Sequence, residues 1–172
     1  MQRNLGIFTA LVLVLAALCL PAGRSEAAGL QDADFSCRGA MLGASEAELF
    51  KAWGEPLFDR TEIRQGVTVK VYVYKDHYEA AVDKSGHVVD FLIKNDRYEA
   101  RNGIRLGATS YWIQKTYGKI ERQRLDGAAY YIYTREGHPH DHLLFGIDVQ
   151  DGYMTSMRIT SLPLTEKEAE KR

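Results

Sequence analysis

The sequence predicts an α+β fold made of two tandem copies of one unit, a short helix followed by an antiparallel meander, with both helices packed on one face of the sheet. Three observations lead to this prediction. Residues 42–54 and 106–118 match in register without a gap, from Leu-Gly-Ala-Ser/Thr to Trp/Tyr-Gly. The hydrophobic period then changes from 3.6 to 2 residues in each copy. Finally, Gly86 and Gly152 mark matching turns before the last strand.

The ends of both helices follow from local chemistry. Ser45 is a favourable N-cap, and Glu48 completes a capping box in which each side chain accepts from a free backbone N–H. Thr109 repeats the cap in the second copy. Gly54 and Gly118 fit the left-handed position that ends a helix, where a residue without a Cβ meets no steric penalty.

The strands are predicted from alternation of apolar and polar residues. In the first copy the pattern predicts strands over residues 67–74, 78–82 and 88–93, and a weaker one over 58–64. The second copy predicts strands over 128–134, 143–149 and 153–159. In the first long strand Val67, Val69, Val71 and Val73 alternate with larger polar residues. This alternation predicts that the valines face the core.

The chain divides into a targeting segment, one globular unit and a tail. Residues 1–28 combine an early Arg, an apolar run and small residues at a cleavage site, which predicts a signal peptide and a secreted or periplasmic protein. Residues 29–161 form the globular unit, with repeats at about 39–94 and 103–161. Residues 162–172 are a charged tail, expected to be frayed or solvated.

Composition excludes several classes of function. The formal net charge is −1 with both signs mixed along the chain. It argues against nucleic-acid binding, which needs a basic stripe, and no stable membrane insertion is expected after signal cleavage. After cleavage Cys37 is the remaining cysteine, so we expect no intramolecular disulfide. It is either a small buried hydrophobic residue or a reactive thiol.

The repeated Leu-Gly-Ala-Ser/Thr helix, Trp/Tyr-Gly end, tyrosine-containing strand and Gly turn over residues 39–161 resemble known exported bacterial families. The pattern is similar to tandem repeats of the β-lactamase-inhibitor-protein type and to the domain found beside CAP (cysteine-rich secretory) modules. Small outer-membrane assembly lipoproteins share a related unit. This chain departs from these families, since it has no cysteine pairs within its repeats, no CAP module and no lipid-modified cysteine. The resemblance implies an exported, non-catalytic interaction module and names no partner.

A tyrosine-bearing sheet face is the first candidate site. With the valines inward, the other face would carry the tyrosines, joined by residues of the last strands. The predicted partner-binding set is Tyr72, Tyr74, Tyr131, Tyr133, Leu92, Met154 and Arg158. Tyrosine, Met and Arg are typical of protein-binding surfaces, and in the inhibitor family the outer sheet faces bind the target. The alternative is an ordinary open sheet face, since tyrosine favours strands.

A histidine tract is the second candidate. His138, His140 and His142 would lie on one side of an extended segment, with Asp141 beside them. Three imidazoles and a carboxylate would suit zinc, copper or nickel. The alternative is an exposed loop, because Pro139 disrupts regular extension and no distant ligand is evident.

No catalytic motif is present in the sequence. Ser45 and Ser85 fall in a helix cap and a turn, and the glycines are accounted for by caps and turns. We therefore expect a non-catalytic module that recognises an exported protein or a cell-envelope component through the tyrosine-bearing face, with no required cofactor. The alternative function is an envelope protein that binds zinc or copper through residues 138–142.

Overall fold

The computed structural model describes residues 29–171, so the predicted signal peptide lies outside the described residues. The helices are α1 (Glu46–Trp53), α2 (Ser110–Tyr117) and the short α3 (Glu166–Ala169). The strands are β1 (Ser36–Cys37), β2 (Ala40–Met41), β3 (Phe58–Arg64), β4 (Val67–Tyr74), β5 (Tyr78–Val82), β6 (Val88–Ile93), β7 (Gln123–Leu125), β8 (Ala128–Arg135), β9 (His138–Ile147) and β10 (Met154–Thr160). Within this range no helix is long and apolar enough to cross a membrane.

One antiparallel sheet of eight strands dominates the structure, and the α+β prediction is confirmed at this level. The strand order is β3-β4-β5-β6-β10-β9-β8-β7, and a separate hairpin joins β1 to β2. The centre of the sheet is the antiparallel pair of β6 and β10, which places Leu92 opposite Arg158. Strand β3 at one edge matches the weakly predicted segment, whereas β7 at the other edge was not predicted.

Both N-caps form as predicted. The Ser45 hydroxyl accepts from the Glu48 N–H at 3.3 Å, and the Glu48 carboxylate accepts from the Ser45 N–H at 2.8 Å. The Thr109 hydroxyl accepts from the backbone of α2 in the same way. Gly54 and Gly118 have φ of 77° and 106°, but their ψ values of −164° and 152° lie outside the left-handed helical region. Glycine is required at both ends because this region is closed to other residues.

The aromatic core lies between the two helices and the sheet, and here one prediction is wrong. The strand tyrosines face the helices and are buried; these are Tyr72, Tyr74, Tyr131 and Tyr133. In α1, Trp53 packs edge-on against Tyr74, with ring centroids 5.0 Å apart. Alternation divides a strand into two faces without saying which one meets a helix. The large rings fill the space beside the helices, so these tyrosines do not form an exposed face.

Met154 was also predicted on the face away from the helices, and it is buried in the aromatic core. The register of β10 against β9 shifts between Met154 and Ser156. Such a bulge adds one residue to a strand and reverses the alternation beyond it. Met154 therefore points the same way as Met157, which a regular strand would not allow.

The face of the sheet turned away from α1 and α2, called here the outer face, is itself partly covered. Val69, Val71 and Ala81 form a second buried cluster there with Leu162. Val69 and Val71 are thus buried, and Val67 and Val73 partly buried, against the chain that follows β10 rather than under the helices. Packing therefore extends into the predicted tail, which goes on to form α3.

The sheet bends strongly toward its outer face. Eight strands about 4.8 Å apart would put the edges of a flat sheet about 33 Å from each other. Yet the Gln65 side chain, in the turn after β3, donates to Asp126 at 2.8 Å in the turn after β7. Twist brings these diagonal corners of the sheet together. Arg64 on β3 and Tyr130 on β8 come close enough on the outer face to line one depression, so this face is the concave one.

Candidate functional site

The concave outer face carries an open depression of about 530 Å3. We call it the cationic depression. Its lining residues are Arg64, Leu92, Lys94, Tyr130, Thr155, Ser156 and Arg158. The lining contains three cationic side chains and no carboxylate, and its volume falls in the range of about 300–1,000 Å3 typical of small-molecule sites.

The floor of the depression is a row of residues on three neighbouring strands. Gly146 on β9 pairs with Tyr130 on β8 and with Ser156 on β10. A Cβ at Gly146 would lie 2.3 Å from the Ser156 hydroxyl oxygen and 3.4 Å from the Tyr130 ring. A Cβ at this position would force the Ser156 hydroxyl to move, so the glycine provides the space that the Ser156 side chain occupies here. Met157 pairs with Ile93 on β6. The residue before Met157, which is Ser156, therefore lies beside the residue after Ile93, which is Lys94, and the row extends to this lysine.

A buried carboxylate holds two of the arginines. Asp90 on β6 has no exposed surface. Its Oδ1 accepts from Arg158 Nε at 2.6 Å, and its other oxygen accepts from Arg64. Charge-assisted bonds of this kind are short and orient the guanidinium strongly. Asp90 therefore fixes both arginines from beneath the depression.

Arg64 is saturated by carboxylates. Its guanidinium also binds Glu62, and its Nη2 binds Glu79 at 2.8 Å. Burial lowers the pKa of Arg64, but Asp90 and the two glutamates outweigh that effect, so the net shift is upward. The pKa of Glu62 is lowered, because its bonds to Arg64 and Arg60 outweigh its burial. Arg64 therefore stabilises the side of the depression and does not receive a ligand.

Arg158 and Lys94 have capacity left for a ligand. Among residues 29–171, Arg158 uses only Nε in a hydrogen bond, to Asp90. Lys94 is exposed, and its ammonium makes no hydrogen bond or ion pair within the same described range. The depression therefore presents one oriented guanidinium and one exposed ammonium to solvent.

The structure retains two of the predicted binding residues on the outer face. Leu92 and Arg158 line the depression, as strand alternation predicted. Asp90, Lys94 and Tyr130 were missed. Tyr130 immediately precedes Tyr131 in β8. It would have been predicted on the outer face if Tyr131 and Tyr133 had been assigned to the helix side of the sheet. Lys94 follows β6, and no local pattern distinguishes it from other surface lysines.

The structure does not assemble the predicted metal ligands. His138 Nδ1 lies 3.7 Å from Asp141, whereas His140 Nδ1 lies 3.7 Å from Glu168. His142 is buried, and its Nδ1 is 3.1 Å from the Thr134 hydroxyl. Within residues 29–171, no group of three or more His, Cys, Asp or Glu side chains could hold a metal ion. The prediction fails because the segment is a strand, in which each ring engages a different neighbour.

Cys37 is buried at the edge of the aromatic core. Burial raises the pKa of its thiol to about 12, against smaller opposing effects of Tyr98 and Arg38. A thiol of this kind is protonated and unreactive at neutral pH. The interpretation as a small buried hydrophobic residue is therefore the better one.

The fold has counterparts among solved structures. An extracellular SCP-domain protein from Bacillus anthracis is 12% identical, with a TM-score of 0.49, and the match covers 76% of this chain and 46% of that one. A cysteine-rich secretory protein from Staphylococcus aureus is 16% identical, with a TM-score of 0.48 and coverage of 73% and 45%. This chain thus spans less than half the length of either protein.

The uncharacterized protein yfeY from Escherichia coli is similar over nearly its whole length. The match covers 74% of this chain and 97% of yfeY, at 15% identity and a TM-score of 0.51. At this identity the likeness concerns the fold alone. No known protein-family profile matches the chain, and no curated protein matches it either. The neighbours include proteins of the SCP/CAP group, as the resemblance suggested, while a tandem repeat of the inhibitor type remains a prediction.

Proposed function

We propose that this protein is an exported, non-catalytic interaction module that recognises a protein or a cell-envelope component through the concave outer face of its sheet. The observation that carries the proposal is the cationic depression, where Asp90 orients Arg158 and the adjoining residues leave polar groups open to solvent. Export is supported by the pattern of residues 1–28. The buried strand tyrosines contribute to the core and not to recognition.

We also propose that the chain consists of two copies of one unit. From one edge of the sheet to its centre the strands are β3, β4, β5 and β6, and from the other edge to the centre they are β7, β8, β9 and β10. The two copies therefore occupy equivalent positions in the sheet. The two helix caps are bridged alike, Ser45 to His87 and Thr109 to Tyr153. The last strands of the two copies, β6 and β10, pair with each other at the centre of the sheet.

Site-specific photo-crosslinking tests the recognition face. A benzoylphenylalanine in place of Tyr130 would sit in the depression, and one in place of Tyr111, which is 71% exposed on α2, would sit on the helix side. We expect position 130 to crosslink one protein or envelope component in the cells that make this protein. Position 111 is the control and should give no such product. Crosslinking from position 111 alone, or from neither position, would contradict the proposal.

A further inference from the structure

We propose that the cationic depression binds a group that carries one negative charge shared over two oxygens, a carboxylate or a phosphodiester. This inference rests on the proposed function and names the chemistry of the component recognised. It is carried by the charge balance, the geometry of Arg158 and the hydroxyl groups around Gly146.

The charge balance favours a monoanion. Behind the depression, three guanidinium groups face three carboxylates: Arg60, Arg64 and Arg158 with Glu62, Glu79 and Asp90. These charges cancel. Lys94 adds one further positive charge to the lining. A ligand with a single negative charge would neutralise it, whereas a phosphate monoester dianion would leave an excess negative charge in a partly enclosed site.

The geometry of Arg158 favours an oxyanion over a halide. Its Nε is bonded to Asp90 at 2.6 Å, so the remaining donors are the two terminal nitrogens. A planar guanidinium matches the paired oxygens of a carboxylate or phosphate, and two parallel bonds can form. Because Asp90 is fully buried, the guanidinium is held in place before the ligand arrives. This reduces the entropy lost on binding.

The hydroxyl groups complete the site. Ser156 and Tyr130 lie on either side of Gly146 in the floor of the depression. Within residues 29–171, neither hydroxyl makes a hydrogen bond. Both can therefore donate to an oxygen of the ligand. The two hydroxyls, the guanidinium and the ammonium give the site donors of three kinds around one small volume.

Titration by nuclear magnetic resonance tests this site with the simplest probes. The amide spectrum of the protein is followed while sodium acetate or sodium dimethyl phosphate replaces sodium chloride at constant ionic strength. We expect saturable shifts at Ser156, Tyr130 and Lys94 with at least one of the two salts. Saturation by acetate alone would support the site and assign it to carboxylates, and saturation by dimethyl phosphate alone would assign it to phosphodiesters.

Lysine variants make the test specific. Lys94→Gln should weaken the affinity about five-fold or more, as expected for the loss of one partly screened charge, and Lys94→Arg should restore it. Lys84→Gln is the matched control, because Lys84 is also exposed but lies in the turn before β6. Absence of saturation with both salts, or equal weakening in the two glutamine variants, would overturn the anion site. Anion binding without crosslinking from position 130 would instead overturn the interaction module and leave the anion site standing.

Discussion

At the scale of single residues, the buried tyrosine hydroxyls fall into two groups. In the second half of the chain, Gln114 donates to the Tyr131 hydroxyl at 2.9 Å, and the Tyr133 hydroxyl donates to the Gly118 carbonyl at 2.8 Å. The hydroxyls of Tyr72 and Tyr74 are buried with no hydrogen-bond partner among the described residues. Phe50 occupies the position in α1 that corresponds to Gln114, which removes the donor that Tyr72 would need.

Matched tyrosine-to-phenylalanine variants should reveal this difference. Tyr131→Phe and Tyr133→Phe should each lower the free energy of unfolding by about 1 kcal/mol, because a buried hydrogen bond is lost. Tyr72→Phe should be neutral or stabilising, since it removes a hydroxyl that was desolvated without compensation. Urea unfolding of these variants measures the effect. A loss of similar size at position 72 would contradict the unpartnered state of its hydroxyl.

Removal of the Asp90 carboxylate should lower stability strongly. Asp90→Asn would keep the shape of the side chain but leave Arg64 and Arg158 without their shared countercharge. Breaking a buried ion pair from one side costs roughly 3 kcal/mol, and urea unfolding should show a loss of this order. Asp96→Asn, at an exposed position, is the control and should change stability by no more than about 0.5 kcal/mol.

At the scale of elements, sequence patterns predicted the strands that alternate regularly more accurately than those whose bounds depend on neighbouring strands. Strands β4, β5 and β6 have the predicted bounds. Strand β9 begins at His138 and not at the predicted residue 143, because pairing with β8 and β10 draws the polar histidine segment into the sheet. Strand β7 has only three residues, too few for alternation to be recognised. Pairing with neighbouring strands therefore set the start of β9 and the existence of β7, which the local pattern did not predict.

The end of α1 depends on one backbone conformation. Gly54 has φ of 77° with open space where a Cβ would lie. Gly54→Val should therefore destabilise the protein by roughly 1 kcal/mol or more, through backbone strain and not through a clash. The midpoint of urea unfolding measures the loss. Gly29→Val, where the backbone carries no positive φ and the space is also open, is the control and should leave stability nearly unchanged.

At the scale of the whole molecule, the helices cover one face of the sheet and the segment after β10 covers part of the other. Leu162 is 3% exposed and packs on Val69, Val71 and Ala81. Leu162→Ala should cost about 2–4 kcal/mol, as buried leucine truncations do. Leu164→Ala, at a half-buried position two residues later, should cost less. Equal and negligible effects in thermal melts would mean that this segment does not pack on the sheet.

The aromatic core should make the protein unfold in alkali. Burial, followed by smaller charge effects, raises the pKa of both Tyr74 and Tyr117 to about 12. A group with a raised folded-state pKa gives stability that is complete below its unfolded pKa, about 10 for tyrosine, and is lost as the pH rises toward 12. Circular dichroism and tyrosinate absorbance should therefore change together in this window. Cys37→Ala controls for the buried thiol. Ionisation of the buried tyrosines near pH 10 with no loss of circular dichroism would contradict the expectation, and the exposed Tyr111 and Tyr153 are replaced by Phe so that their absorbance does not contribute.

Local patterns were enough to predict the α+β class, the capped helices and most of the strands, because caps, turns and periodicity are local properties of the chain. They also placed Leu92 and Arg158 on the outer face. Which face of each strand meets the helices depended on tertiary packing, since alternation is symmetric and the large tyrosines fill the space beneath α1 and α2. Tertiary packing also decided the bulge that buries Met154 and the curvature that brings together Arg64 of β3, Lys94 just after β6 and Tyr130 of β8. Those residues are far apart in the chain, so their meeting depends on strand order and twist, which no local pattern encodes.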